Sequence, residues 1–267
     1  MTPNLLFRKI ALGGLAGIRA VLHPFYPLVR DPAVLLYHSV SHDPWQYAVS
    51  PRAFERQIRY LREECNPVSL ADVVSYAEGK KELPPRSVAV TFDDGYRDFR
   101  DIAFPILARY RVPATLFMCT GEVDRRELGT EKPLLTWEDL KDLHASGFIA
   151  IGSHAATHRK LTRLNSHALS EELRSSRDRI RDVLGVTPEF LAYPKGAHNP
   201  DVRRSAREAG FRAACAVYPR LVSASRRGDL FSIPRIQMDA SVSWFEFKTR
   251  LTEVSNWYIA LREILHI

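Results

Sequence analysis

Short apolar runs alternate along this chain with longer segments whose apolar residues recur every three or four positions. The runs are "AVLLYH" (33–38), "SVAVTF" (87–92), "ATLFMC" (114–119), "FIAIGS" (148–153), "EFLAYP" (189–194), "AACAV" (213–217) and "FSIPRI" (231–236). Each is bounded by turn residues, the pattern of strands buried on both faces of a parallel sheet. The periodic segments predict helices. "SPRAFERQIRYLREE" (50–64) has Ser50 as N-cap, Pro51 at the first helical position, and an apolar stripe of Phe54, Ile58 and Leu61. "TWEDLKDLHASG" (136–147) has Thr136 as cap, Asp139 in the capping-box position and Gly147 as a stop. "SHALSEELRSSRDRIRDVLG" (166–185) stops at Gly185, and "NPDVRRSAREAG" (199–210) starts at Asn199-Pro200 and stops at Gly210. Strands alternating with helices predict a parallel α/β architecture. Seven strands in one run, with no dinucleotide fingerprint, favour a barrel over an open Rossmann sheet. In such barrels the chemistry lies where strands end and loops begin.

Composition adds little to this picture. The 267 residues, 45% hydrophobic and 26% charged, are those of an ordinary globular chain. The net charge of +7 is largely arginine in "RSSRDRIRD" (174–182) and "RRSAREAGFR" (203–212). With Glu171, Glu172, Asp178 and Glu208 interleaved, these read as solvated helix faces, and no nucleic-acid motif accompanies them. Cys65, Cys119 and Cys215 are far apart and form no CxxC pair, which argues against a zinc knuckle or disulfide framework.

The strand ends are unusual. The first run ends in Tyr37-His38, the second leads into Asp93-Asp94-Gly95, the fourth into His154 and His158, and the fifth into "YPKG". Adjacent carboxylates after a buried strand repel each other and lose hydration. A divalent cation offsets that cost. His154 and His158 are spaced i, i+4, so on a helical turn both imidazoles would face one metal. Two histidines and one aspartate would leave a catalytic zinc open to water or substrate, and the second aspartate could then act as general base. An Asx-turn or helix N-cap is the plainer use of an aspartate here, and suits Asp98 better than Asp93 or Asp94.

Taken together, "TFDDGYRD" (91–98), "SHAATH" (153–158) and "LAYPKG" (191–196) resemble the polysaccharide deacetylase, or NodB-homology, family over roughly residues 33–240. The resemblance implies a distorted (β/α) barrel and metal-dependent removal of acetyl groups from N-acetylhexosamines in an acetylated glycan. It implies Asp93 as general base and Asp94, His154 and His158 as ligands of zinc or another divalent metal. It assigns an oxyanion-binding backbone N–H to Lys195. Three features depart from the common pattern: Ala192 stands where many members have arginine, Ala155 where they have Ser or Thr, and no Leu-x-His follows Asp201 to supply an acid. "LLYHSV" (35–40) resembles the early Tyr-His motif of the poly-N-acetylglucosamine deacetylase branch, which implies His38 as the general acid. An imidazole pKa of about 6.5 suits that role. "IPRIQM" (233–238) also fits this branch, with Arg235 in bidentate contact with Asp93 holding it ionised. His198, close to "YPKG", is the rival acid.

The expected organisation is an apolar, basic helical segment over 1–32, the barrel over 33–240 and a helical extension over 241–267. Residues 5–29 resemble the first parts of a signal peptide without a clear cleavage site. The run from Ile10 to Ile18 is too short to cross a bilayer core of about 30 Å. Packing on the barrel or peripheral membrane contact are the readings for both termini. The pattern does not fix the compartment; membrane association or export, with no transmembrane helix, are the readings these termini leave open. Nothing in the pattern fixes the oligomeric state.

Overall fold

The computed structural model describes residues 31–125, 132–222 and 229–252. The apolar runs become strands of one parallel sheet. In chain order the elements are β1 (Ala33–Tyr37), β2 (Ser39–Val40), β3 (Ala48–Val49), α1 (Pro51–Glu64), β4 (Asn66–Pro67), α2 (Leu70–Ala77) and β5 (Ser87–Phe92). A π-helical turn (Phe99–Ala103) leads into α3 (Phe104–Tyr110), followed by β6 (Ala114–Met118), α4 (Thr120–Arg125), α5 (Trp137–Ala145) and β7 (Ile149–Ser153). Then come α6 (Ser166–Leu184), β8 (Phe190–Ala192), α7 (Pro200–Glu208), β9 (Ala213–Cys215), β10 (Ile236–Gln237) and α8 (Trp244–Arg250). The strand order is β10-β1-β5-β6-β7-β8-β9, with β4 beside the start of β5 and β2-β3 as a separate pair. The sheet curls towards closure through residues 233–237. Ile233 N–H donates to Ala214 and accepts from Ala216 N–H through its carbonyl, while Ile236 and Gln237 pair with Leu35 and Leu36. This is the distorted barrel the sequence predicts.

The helix signals act as their residue types require. Ser50 accepts from Ala53 N–H to start α1, whose Phe54, Ile58 and Leu61 are buried. Thr136 and Asp139 form both halves of a capping box on α5. Asn165 caps α6, and Gly185 ends it at φ 71°, the left-handed region where a β-carbon would be strained. The last strand departs from expectation. Residues 230–232 form a 3₁₀ turn, Ile233 makes a single bridge to Cys215, and Ile236 and Gln237 form the strand. Pro234 within the expected run has no N–H to give to a ladder.

The parallel strands stay in step, so their C-terminal ends share one rim. Tyr37 lies beside Phe92, and Met118 beside Ser153. Asp93 N–H extends the ladder to the Tyr37 carbonyl at 3.0 Å, and His154 N–H to the Met118 carbonyl at 2.8 Å. The rim thus receives its polar residues on a rigid frame. The core beneath it includes Leu35, Val90, Phe92, Leu116 and Ile151, joined by Phe247 of α8. No helix among the described residues is long and apolar enough to cross a membrane. The segments 1–30 and 253–267, with most of the terminal helices expected from sequence, lie outside the described residues.

Candidate active site

An open cavity of about 460 Å³ sits on this rim, and His38, Asp93, Asp94, His154, His158 and Lys195 all line it. Asp93 and Asp94 follow β5 directly. Left-handed backbone at Asp94 (φ 72°) and Gly95 (φ 73°) turns the chain there. The Asp93 carboxylate is 3% exposed and takes a bidentate contact from Arg235, Nη1–Oδ1 2.6 Å and Nη2–Oδ2 2.7 Å. The buried Arg235 guanidinium also donates to Thr91 Oγ1 at 3.3 Å. The contact expected from "IPRIQM" is therefore present.

Asp94 faces the histidines. Its Oδ1 lies 3.5 Å from His154 Nε2 and 3.4 Å from His158 Nε2. His154 Nδ1 lies 2.8 Å from the Ala192 carbonyl, which can only accept. The proton is therefore on Nδ1, and the Nε2 lone pair points at Asp94. Asp94 Oδ1 is buried and has no hydrogen-bond donor among the described residues. Electron pairs that face one another without a donor between them are the set a divalent cation satisfies.

The histidine turn itself departs from expectation. Residues 155–157 form a non-helical turn with left-handed backbone at Ala155 (φ 62°) and His158 (φ 56°). The i, i+4 pair converges because of that turn, with ring centroids 5.0 Å apart. Asp98 also differs from its expected cap role. It makes no cap bond to the helical turn that follows. Instead it accepts from Ser39 Oγ at 2.5 Å and Val40 N–H at 3.2 Å, anchoring the chain just beyond His38. His38 Nδ1 is buried without a hydrogen-bond partner among the described residues, and its ring lies 5.2 Å from that of Tyr47. His198 is placed differently. Its ring stacks on Tyr193 at 4.9 Å, with Nδ1 3.2 Å from the Gly196 carbonyl and Nε2 3.4 Å from Ser232 Oγ, and it does not line the cavity.

The sequence profile of the polysaccharide deacetylase family matches residues 80–214, about half of the chain. The chain belongs to the polysaccharide deacetylase family. It is 25% identical over 210 residues to the poly-beta-1,6-N-acetyl-D-glucosamine N-deacetylase of Staphylococcus aureus (strain MRSA252), covering 76% of this chain and 71% of the relative. Among solved structures it resembles IcaB from Ammonifex degensii (TM-score 0.73, 26% identity, 86% of this chain and 98% of that one). It also shares its fold with the Streptococcus pyogenes deacetylase PplD in complex with acetate (TM-score 0.75, 22% identity, 85% and 100%).

The charge states within this family member's site follow from burial and neighbours. Burial alone would lift the Asp93 carboxyl, but Arg235, then His154, outweigh it and hold the group at about 2. Burial pushes the Asp94 carboxyl up to about 6, with repulsion from Asp93 adding to the rise. Burial pushes the His154 imidazole down to about 3, and His158 also falls for the same reason. Neutral imidazoles beside an ionised Asp93 carboxylate result. Cys119 Sγ also lies within 4.8 Å of ligand atoms of Asp94 and His154. Its thiol is buried, raised well above its ordinary value, and directed at the His154 carbonyl at 3.2 Å. The Cys119 thiol is thus engaged by the His154 carbonyl, whereas His158 Nε2 faces Asp94 Oδ1 at 3.4 Å.

Several residues at the site escaped the sequence reading. The Tyr96 hydroxyl bonds the Asp94 carboxylate. Trp45, Tyr47 and Tyr96 form an aromatic wall of the cavity. Tyr96 stands inside the "TFDDGYRD" motif, so its position was a usable signal. Trp45 and Tyr47 come from the β2–β3 connection, whose sequence has no periodicity to assign it to the rim.

Proposed function

We propose that this chain is a metal-dependent hydrolase that removes N-acetyl groups from an N-acetylhexosamine polymer, with poly-β-1,6-N-acetylglucosamine the first substrate to test. The observation that carries this reading is the division of the two aspartates: Asp93 locked to Arg235, Asp94 facing the Nε2 atoms of two imidazoles. Asp94, His154 and His158 would hold the cation, zinc in the first instance. When bound, it would polarise the acetyl carbonyl and acidify water.

The remaining roles belong to the chain itself. Asp93, ionised and held in one orientation by two hydrogen bonds, takes the proton of the attacking water. The backbone N–H of Lys195 is the donor we assign to the developing oxyanion; its left-handed conformation (φ 60°) sets the turn at the cavity wall. His38 donates a proton to the departing amine nitrogen, since neither Asp93 nor Asp94 is free to do so. The aromatic wall of Trp45, Tyr47 and Tyr96 gives the apolar face of a sugar ring a surface to stack on. The S. aureus relative, named for poly-β-1,6-N-acetylglucosamine, supports the choice of substrate.

The acid assignment is tested by steady-state acetate release from zinc-loaded protein. His38→Ala should lower kcat by about 10²–10⁴-fold, the usual contribution of a positioned acid. His198→Ala should leave kcat within a few-fold. The reverse ranking would transfer the role to His198.

A further inference from the structure

Glu172 lies on α6, within the stripe Leu169, Glu172, Leu173, Ser176 and Ile180 that the helix buries. Its neighbours in sequence suggest a solvated face, but the residue is only 7% exposed. The carboxylate reaches out of the helix to the histidine turn. One oxygen accepts from Ala156 N–H at 3.1 Å and Thr157 N–H at 3.0 Å, and the other from the Thr157 hydroxyl. These donors lie between Ala155 and His158, the positions with left-handed backbone. The same helix holds the start of the turn. Ser176 Oγ shares a hydrogen bond with Ser153 Oγ at 2.6 Å, and Ser153 Oγ accepts from Ala155 N–H at 3.1 Å. On the other side the turn's carbonyls accept from the start of α4, Thr120 N–H to Ala155 at 3.4 Å and Gly121 N–H to Ala156 at 2.8 Å.

The turn therefore has little support of its own. Left-handed backbone is strained for alanine and uncommon for any residue with a β-carbon, so a free chain would favour an extended or helical form. In an extended form four residues span about 13 Å, and His158 would no longer share Asp94 with His154. Beside the bonds from Ser153 and α4, a group that accepts two adjacent N–H bonds at once favours the observed conformation, and a carboxylate does so with charge-assisted bonds. Glu172 touches neither the cavity nor the ligand atoms. It acts through the backbone that carries them.

We propose that Glu172 is the positioning residue of the histidine pair, fixing the 155–157 turn so that His154 and His158 converge on Asp94. This inference rests on the metal-site reading given above. Its consequence is that zinc affinity depends on a side chain outside the site, as partners of ligating residues commonly cause by about 10–100-fold.

The test uses the full chain and zinc itself, titrated against a competing chelator at pH 7.5. The absorption spectrum of the cobalt-loaded protein and the thermal midpoint of the metal-free protein are measured alongside. Glu172→Gln keeps the size but replaces the charged acceptor with a neutral amide, whose bonds to the two N–H groups are about half as strong. It should weaken zinc binding at least tenfold and alter the cobalt spectrum, while the metal-free midpoint moves by only a few degrees. Thr157→Val removes one hydroxyl alone and should weaken zinc binding by a few-fold, which covers the case in which Glu172→Gln does not fold. Glu172→Asp retains the charge but falls one methylene short, and should recover part of the affinity. Wild-type zinc affinity in folded Glu172→Gln, or in Thr157→Val if Glu172→Gln does not fold, would overturn the proposal and leave the deacetylase reading intact. Wild-type protein that binds zinc yet releases no acetate would overturn that reading and leave the role of Glu172 standing. Wild-type protein that binds no zinc would overturn both.

Discussion

Asp93 and Arg235 are a buried pair whose worth lies in orientation as much as in stability. Removing one partner of such a pair leaves a charge in a poor dielectric, at a cost of about 3–5 kcal/mol. Arg235→Met should therefore lower the unfolding free energy by that order in urea titration, and abolish acetate release. An unchanged stability would mean that water replaces the guanidinium. The histidines give a pH test. Folded His154 is held at about 3, whereas an unfolded histidine titrates near 6.5. Through that window the unfolded chain binds a proton that the folded metal-free protein does not. Stability is lost as the pH falls from about 6.5 towards 3. Asp94, held at about 6, opposes part of this, since between about 3.9 and 6 the folded state keeps a proton the unfolded chain has released. His154→Gln should thus lose less of its thermal midpoint than wild type between pH 7 and pH 5, without metal. A steeper loss would contradict the assignment. At this scale much was legible: the carboxylates, histidines and arginine stand in recognisable motifs. Glu172 and Trp45 were not, because their roles depend on partners far along the chain.

Elements deliver these residues to one rim because the strands stay in register, and that register depends on close packing. A methyl group at Gly152 in β7 would lie 2.5 Å from Phe117 Cδ1 and 3.1 Å from the Phe190 carbonyl. Gly152→Ala should therefore destabilise the fold by about 1–3 kcal/mol, typical of overpacking, and weaken zinc binding through His154 at the same strand's end. Stability equal to wild type in thermal unfolding would show that Phe117 can move aside. The strands were readable as short, mostly apolar runs, and the helices from caps such as Ser50, Thr136 and Asn199. The last strand was misplaced because apolarity masked Pro234. The histidine turn was misread as helical because i, i+4 spacing does not report backbone conformation. Its left-handed residues are imposed by contacts from α4 and α6, which no local pattern encodes.

For the molecule as a whole, α8 bears on where the catalytic unit ends. Phe247 is fully buried in the main core, Ala240 N–H donates to the Gln46 carbonyl, and Arg250 bonds the carbonyl of Gln237, which lines the cavity. We propose that the barrel over 33–240 folds stably only with this helix attached. Phe247→Ala should cost about 3–5 kcal/mol, read from denaturant unfolding, and a loss below about 1 kcal/mol would make α8 an appendage. The central claim concerns chemistry, and acetate release tests it most directly. The zinc-loaded protein and its Asp93→Asn variant are incubated with poly-β-1,6-N-acetylglucosamine and with a panel of other acetylated glycans. Wild type should release acetate from the first polymer, and the variant at least about 10²-fold more slowly. No release by wild type from any glycan, or equal release by Asp93→Asn, would contradict it.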